Sequence, residues 1–142
     1  MGDAPIYQAF LGTWILDPTS CRYEQGEPPQ AGVYRIEQAG DALHFHVEWT
    51  AADGTRHEVE FSGVPDGRRE PFAGGDLADA LSVHAVSPRE LTSSAYYRGT
   101  ERMVAQRQLD DSGNAMRVVQ LVRLPDGTSP ANVAVYLRQV RN

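Results

Sequence analysis

Alternation with a period of two dominates this chain, and no stretch sustains the 3.6-residue period of an amphipathic helix. Alternating runs cover residues 10–17, 33–38, 43–50, 55–62, 80–86, 91–97, 101–109, 115–124 and 132–140. Turn formers separate them: Ala39-Gly40-Asp41, Ala51-Ala52-Asp53-Gly54, Pro65-Asp66-Gly67, Ser87-Pro88-Arg89, Arg98-Gly99-Thr100, residues 110–114 and Pro125-Asp126-Gly127. About nine strands joined this tightly form an antiparallel meander rather than βαβ units. Closure is the economical way to remove the edges of such a sheet. The expected fold is therefore all-β, an antiparallel up-and-down β-barrel of about 8–10 strands. Only residues 4–11 leave room for a short N-terminal helix or turn. Nothing reads as a linker or a repeat, so residues 1–142 are expected to form a single domain.

Composition narrows the partners. A net charge of −6 repels phosphate backbones and anionic headgroups, so neither nucleic acid nor membrane is an expected partner. All 13 basic residues are arginine, which excludes Schiff-base chemistry through a lysine. Cys21 is the only cysteine and permits no internal disulfide or cysteine-cluster metal site. No apolar run approaches the roughly 18 residues of a membrane span. Met1-Gly2-Asp3-Ala4-Pro5-Ile6 has neither the basic nor the apolar region of a secretory leader, and the expected location is the cytoplasm.

The run Phe10-Leu11-Gly12-Thr13-Trp14-Ile15-Leu16-Asp17 resembles the Gly-x-Trp opening strand of lipocalins and fatty-acid-binding proteins. The stretch Asp17-Pro18, Cys21-Arg22-Tyr23 and Gly26 to Pro28-Pro29 looks like the first loop of small bacterial lipocalin-like domains of the calycin superfamily. So do Ala52-Asp53-Gly54, the 110–114 turn before Met116, and Asn132-Val133-Ala134-Val135-Tyr136. The resemblance implies a barrel whose tryptophan plugs the closed end and whose interior holds a cavity. It implies no particular reaction.

Side chains alternate faces along a strand, so the apolar set of each run marks the interior. That parity turns Tyr34, Phe45, Trp49, Tyr97, Met103, Met116 and Tyr136 inward. Arg107 goes with them, because it shares a face with Met103 and Leu109. An inward arginine needs carbonyls, a carboxylate or a ligand anion for its fork of donors. Fatty-acid-binding proteins hold a ligand carboxylate with a late-strand arginine and a last-strand tyrosine; by that resemblance Arg107 and Tyr136 are the candidate anchors. Ala134 stands where the second arginine of that clamp would be. Arg138 shares the face of Tyr136 and is expected to cover Trp14 through a cation–π contact.

Other chemistry carries less signal. His44-x-His46 with Glu48, Glu58 and Glu60 has metal-like spacing, but Arg35, Glu37 and Arg56 mark the same face as a solvated exterior. No metal and no cofactor are therefore expected. There is no Gly-x-Ser-x-Gly elbow and no phosphate-binding glycine loop; Gly74-Gly75 reads as a hinge. His57 is placed at the cavity rim, His84 outside, and Cys21 in a polar loop as an inert thiol. Val119 and Leu121, if outward, suit a homodimer. The expected function is binding of a small hydrophobic ligand, anionic if Arg107 anchors it. The alternative is a cofactor-free enzyme of cyclase or isomerase type working in the same cavity.

Overall fold

The chain was analysed as a computed structural model that describes residues 5–72 and 78–139. The strands are β1 (Gly12–Tyr23), β2 (Ala31–Ala39), β3 (Ala42–Thr50), β4 (Arg56–Gly63), β5 (Glu70–Pro71), β6 (Ala80–Ser87), β7 (Glu90–Tyr97), β8 (Thr100–Leu109), β9 (Ala115–Val122) and β10 (Ala131–Arg138). They form one antiparallel sheet in the order β4-β3-β2-β1-β10-β9-β8-β7-β6-β5. Each neighbour in the sheet is a neighbour in sequence, except that β1 pairs with β10. The two ends of the sheet meet where β4 approaches β6, so the barrel is nearly closed. Gly63 makes that approach possible: a Cβ there would stand 2.7 Å from Val83 Cγ2.

The all-β up-and-down barrel expected from the alternation is thus the fold observed. The short N-terminal helix or turn is a 3-10 turn, Gln8–Phe10. One detail differs: β1 does not stop at Asp17-Pro18. It runs on to Tyr23 through a bulge, with Asp17 opposite Val135 and Arg22 opposite Val133. Proline has no N–H to give the ladder, and Ser20 replaces the missing bonds. Its hydroxyl donates to the Asp17 carbonyl at 2.6 Å and accepts the Val135 N–H at 2.8 Å. The bulge shifts the parity of the strand, so Cys21 lies in a strand against the core rather than in a polar loop.

The closed end is built on Trp14. The indole is fully buried and donates its N–H to the Phe10 carbonyl at 3.0 Å. Arg138, its register partner on β10, lies over the ring at 4.2 Å, as expected from the sequence. The same guanidinium donates to the carbonyls of Ala9, Leu11 (3.0 Å) and Gly113 (3.0 Å). Gly12 adopts φ +129, and a Cβ on it would come within 3.3 Å of Arg138 Nη1. The glycine of the Gly-x-Trp run therefore makes room for the arginine that covers the tryptophan.

Outside, Val119 and Leu121 are half-buried, and Ile15 and Leu137 are exposed and paired across β1 and β10. Among the described residues no helix is long and apolar enough to cross a membrane. Val140 and Gly74-Gly75 lie outside the described residues.

Arg138→Ala is expected to lower folding stability by on the order of 2–3 kcal/mol, from the lost carbonyl bonds and cation–π contact together. Arg138→Lys is expected to recover only part of that loss, because an ammonium cannot reach three carbonyls in one plane. Urea unfolding of the three proteins checks both.

Candidate functional site

The interior divides at Arg107. Its strand, β8, is separated from β2 by β9, β10 and β1, yet its side chain reaches Tyr34 on β2. The guanidinium therefore crosses the lumen. Its Nε donates to the Tyr34 hydroxyl at 2.7 Å and Nη2 to the Ser93 hydroxyl at 2.9 Å, while Nη1 makes only a 3.5 Å contact with the Ala105 carbonyl. The Phe45 ring centroid is 4.8 Å from the guanidinium carbon. Arg107 is 1% exposed and is the one buried charged side chain among the described residues. No carboxylate there forms an ion pair with it. Three of its five N–H groups are used, and one of those weakly.

The Trp14 half of the interior is packed with apolar side chains: Phe10, Leu16, Ile36, Leu109 and Met116 are all buried. Towards the other end the inward positions Met103, Ala105, Val118 and Gln120 are only half-buried. Val59, which faces inward opposite Val47, is 39% exposed beside the gap between β4 and β6. The interior is therefore less tightly packed towards this end and along that gap.

Tyr34, Phe45, Arg107, Met116 and Tyr136 are brought together in the buried interior. Tyr34 and Tyr136 meet edge to face at 5.3 Å. The hydroxyl that Arg107 holds, however, is that of Tyr34 and not of Tyr136. Met103 is half-buried near the open end, and its sulfur accepts from Gln120 Nε2 at 2.8 Å. Trp49 packs on the core and stacks on the exposed His57 at 5.2 Å. Tyr97 sits at the end of β7 outside the core cluster, with the Arg98 guanidinium 5.2 Å from its ring. His84 is exposed.

Burial pushes the Tyr136 phenol well above its ordinary range, and Tyr34, Tyr23 and Cys21 reinforce this while Arg107 opposes it. Tyr136 is thus a neutral hydroxyl, suited to hydrogen bonding rather than to accepting a proton. Burial likewise raises the Cys21 thiol, with Asp17 adding to it and Arg22 opposing. Ser93 is a site residue that the sequence alone did not mark; it carried a signal, a lone hydroxyl on an inward apolar row.

No family model matches the chain, and no curated protein matches it. Among solved structures, the barrel is similar to an S-type phycobiliprotein lyase from Guillardia theta, with a TM-score of 0.58 at 8% identity, over 96% of this chain and 92% of that one. It is also similar to zebrafish ileal bile acid-binding protein complexed with cholic acid, with a TM-score of 0.51 at 15% identity, over 92% of this chain and 99% of that one. At such identities the likeness is one of fold. Taken with the ten-stranded sheet and the plugged end, it makes the fold of this chain a nearly closed up-and-down β-barrel of the kind those two proteins have.

Proposed function

We propose that the protein binds a small apolar anion in the open half of the barrel, with Arg107 as the polar anchor at its floor. The observation that carries this is a buried guanidinium with no carboxylate partner among the described residues. Taking a cation out of water costs several kcal/mol, and two hydroxyls and an aromatic face offset only part of that. A carboxylate entering from the open end would complete the fork, while its apolar body lay against Phe45, Met103, Val118 and Trp49. The bile-acid-binding neighbour, whose bound cholic acid is such an amphiphile, is consistent with this reading. Enzymatic acid–base work is less well served. Among the described residues the buried polar side chains around Arg107 are hydroxyls, and burial pushes the Tyr136 phenol up, away from ionisation.

Calorimetric titration with dodecanoate and with dodecanol tests the proposal. Dodecanoate is expected to bind at least about tenfold more tightly, a difference of about 1.4 kcal/mol. Arg107→Met is expected to abolish that preference while leaving the free protein as stable as before or more so. Equal affinity for the acid and the alcohol would overturn the anchoring role. Tyr34→Phe strands the buried Arg107 Nε–H and is expected to destabilise the free protein by about 1–3 kcal/mol; saturating dodecanoate should restore part of the loss in thermal melts.

A further inference from the structure

The outer face of the β3–β4 hairpin holds a second, unrelated arrangement. The register sets Glu48 directly opposite Glu58 and His46 directly opposite Glu60. Like charges facing each other across a ladder are destabilising, and nothing in the strand pairing requires them. Between them stands His46, with its side chain 16% exposed. Its Nε2 is inaccessible to solvent and has no hydrogen-bond partner among the described residues. The nearest oxygens are carboxylate atoms of Glu58 at 3.3 Å, Glu48 at 3.4 Å and Glu60 at 3.5 Å.

These separations suit a metal ion. A charge-assisted N–H···O bond is typically about 2.7–2.9 Å long, and all three contacts are longer. Zinc binds imidazole nitrogen and carboxylate oxygen at about 2.0–2.2 Å, and the edge of a tetrahedron with such bonds is about 3.3–3.5 Å. The ligand atoms of His46, Glu48 and Glu58 lie within 4.8 Å of one another. Two grooves flank the cluster, one of about 410 Å³ reaching Glu48 and Glu58 and one of about 210 Å³ reaching His46 and Glu60. Solvent therefore reaches the carboxylates from both sides, and an exposed Glu58 side chain can swing to admit an ion to Nε2.

We propose that His46, Glu48 and Glu58 bind a divalent metal ion of the zinc class on the outer face of the barrel, with the fourth position open to Glu60 or water. Two carboxylates neutralise the ion, and the ion removes the repulsion between them. Ligation through Nε2 places the ring proton on Nδ1, which now lies 3.3 Å from Arg35 Nη1. Arg35 is 43% exposed and 3.9 Å from Glu48, so it can turn away onto that carboxylate. Metal at Nε2 and the Arg35 contact at Nδ1 thus exclude one another.

Titration of the full chain with Zn²⁺ by calorimetry, and with Co²⁺ by visible absorption, tests the site. About one equivalent is expected to bind, with the absorption bands of four-coordinate Co²⁺. His46→Ala and Glu58→Gln are each expected to weaken binding at least about tenfold. His84→Ala, which removes a histidine outside the cluster, is expected to leave it unchanged. Glu58 is 59% exposed, so the Glu58→Gln chain can be checked as folded by circular dichroism and still report on the site. Absence of saturable binding at about 100 μM Zn²⁺, a level that would fill a site of micromolar affinity, overturns the proposal. So does binding that survives His46→Ala or is lost in His84→Ala.

Discussion

The barrel depends on one contact between the first and last strands, Arg138 laid over Trp14. The two residues are register partners on β1 and β10, so their contact closes the chain as well as the end of the lumen. Every other strand pairs with its neighbour in sequence, which a hairpin turn can arrange locally. Only β1 with β10 requires bringing together residues more than a hundred positions apart, and that closure carries a loop-entropy penalty. Arginine suits the task because one planar group can stack on an indole and bond several carbonyls at once. Gly12 leaves the space for it.

The two inward arginines have different surroundings, and the difference locates the site. Arg138 is held by carbonyls of Ala9, Leu11 and Gly113, fixed backbone acceptors at the closed end. Arg107 is held by the hydroxyls of Tyr34 and Ser93, which are neutral and can turn as a ligand arrives. A guanidinium saturated by carbonyls has no capacity left for an anion, whereas one held by two hydroxyls retains donors. The less tightly packed half of the lumen begins where those donors are.

Much of this was legible in the sequence because a sheet writes its faces with a period of two. The alternation of Phe45, Val47 and Trp49 against His44, His46 and Glu48 is enough to separate interior from exterior, and the same parity turned Arg107 and Tyr136 inward. What parity cannot see is a change of phase. The bulge at Pro18-Thr19-Ser20-Cys21 turns a residue assigned to a loop towards the core, and it rests on hydroxyl bonds to β10 that have no local signature. Nor does parity choose among partners within the lumen. Tyr34 rather than Tyr136 receives Arg107 because the side chain spans the barrel, a distance set by closure and not by sequence spacing. On the outer face, the mixed charges around His46 read as a solvated surface because only the register reveals that Glu48 stands opposite Glu58.

Inner and outer sites share a strand. Phe45, against the Arg107 guanidinium, and His46, amid the carboxylates, are consecutive residues of β3 pointing to opposite faces. Beyond β3 lies only β4, the last strand on its side of the sheet and one margin of the gap towards β6. The repulsion between Glu48 and Glu58 acts across β3 and β4 and works to separate them. Any cation that settles between those carboxylates draws β4 onto β3, and so stiffens the wall whose inner side carries Trp49 and Val59. Charge on the outside of the hairpin thereby bears on how firmly the inside holds its shape, through a single layer of backbone.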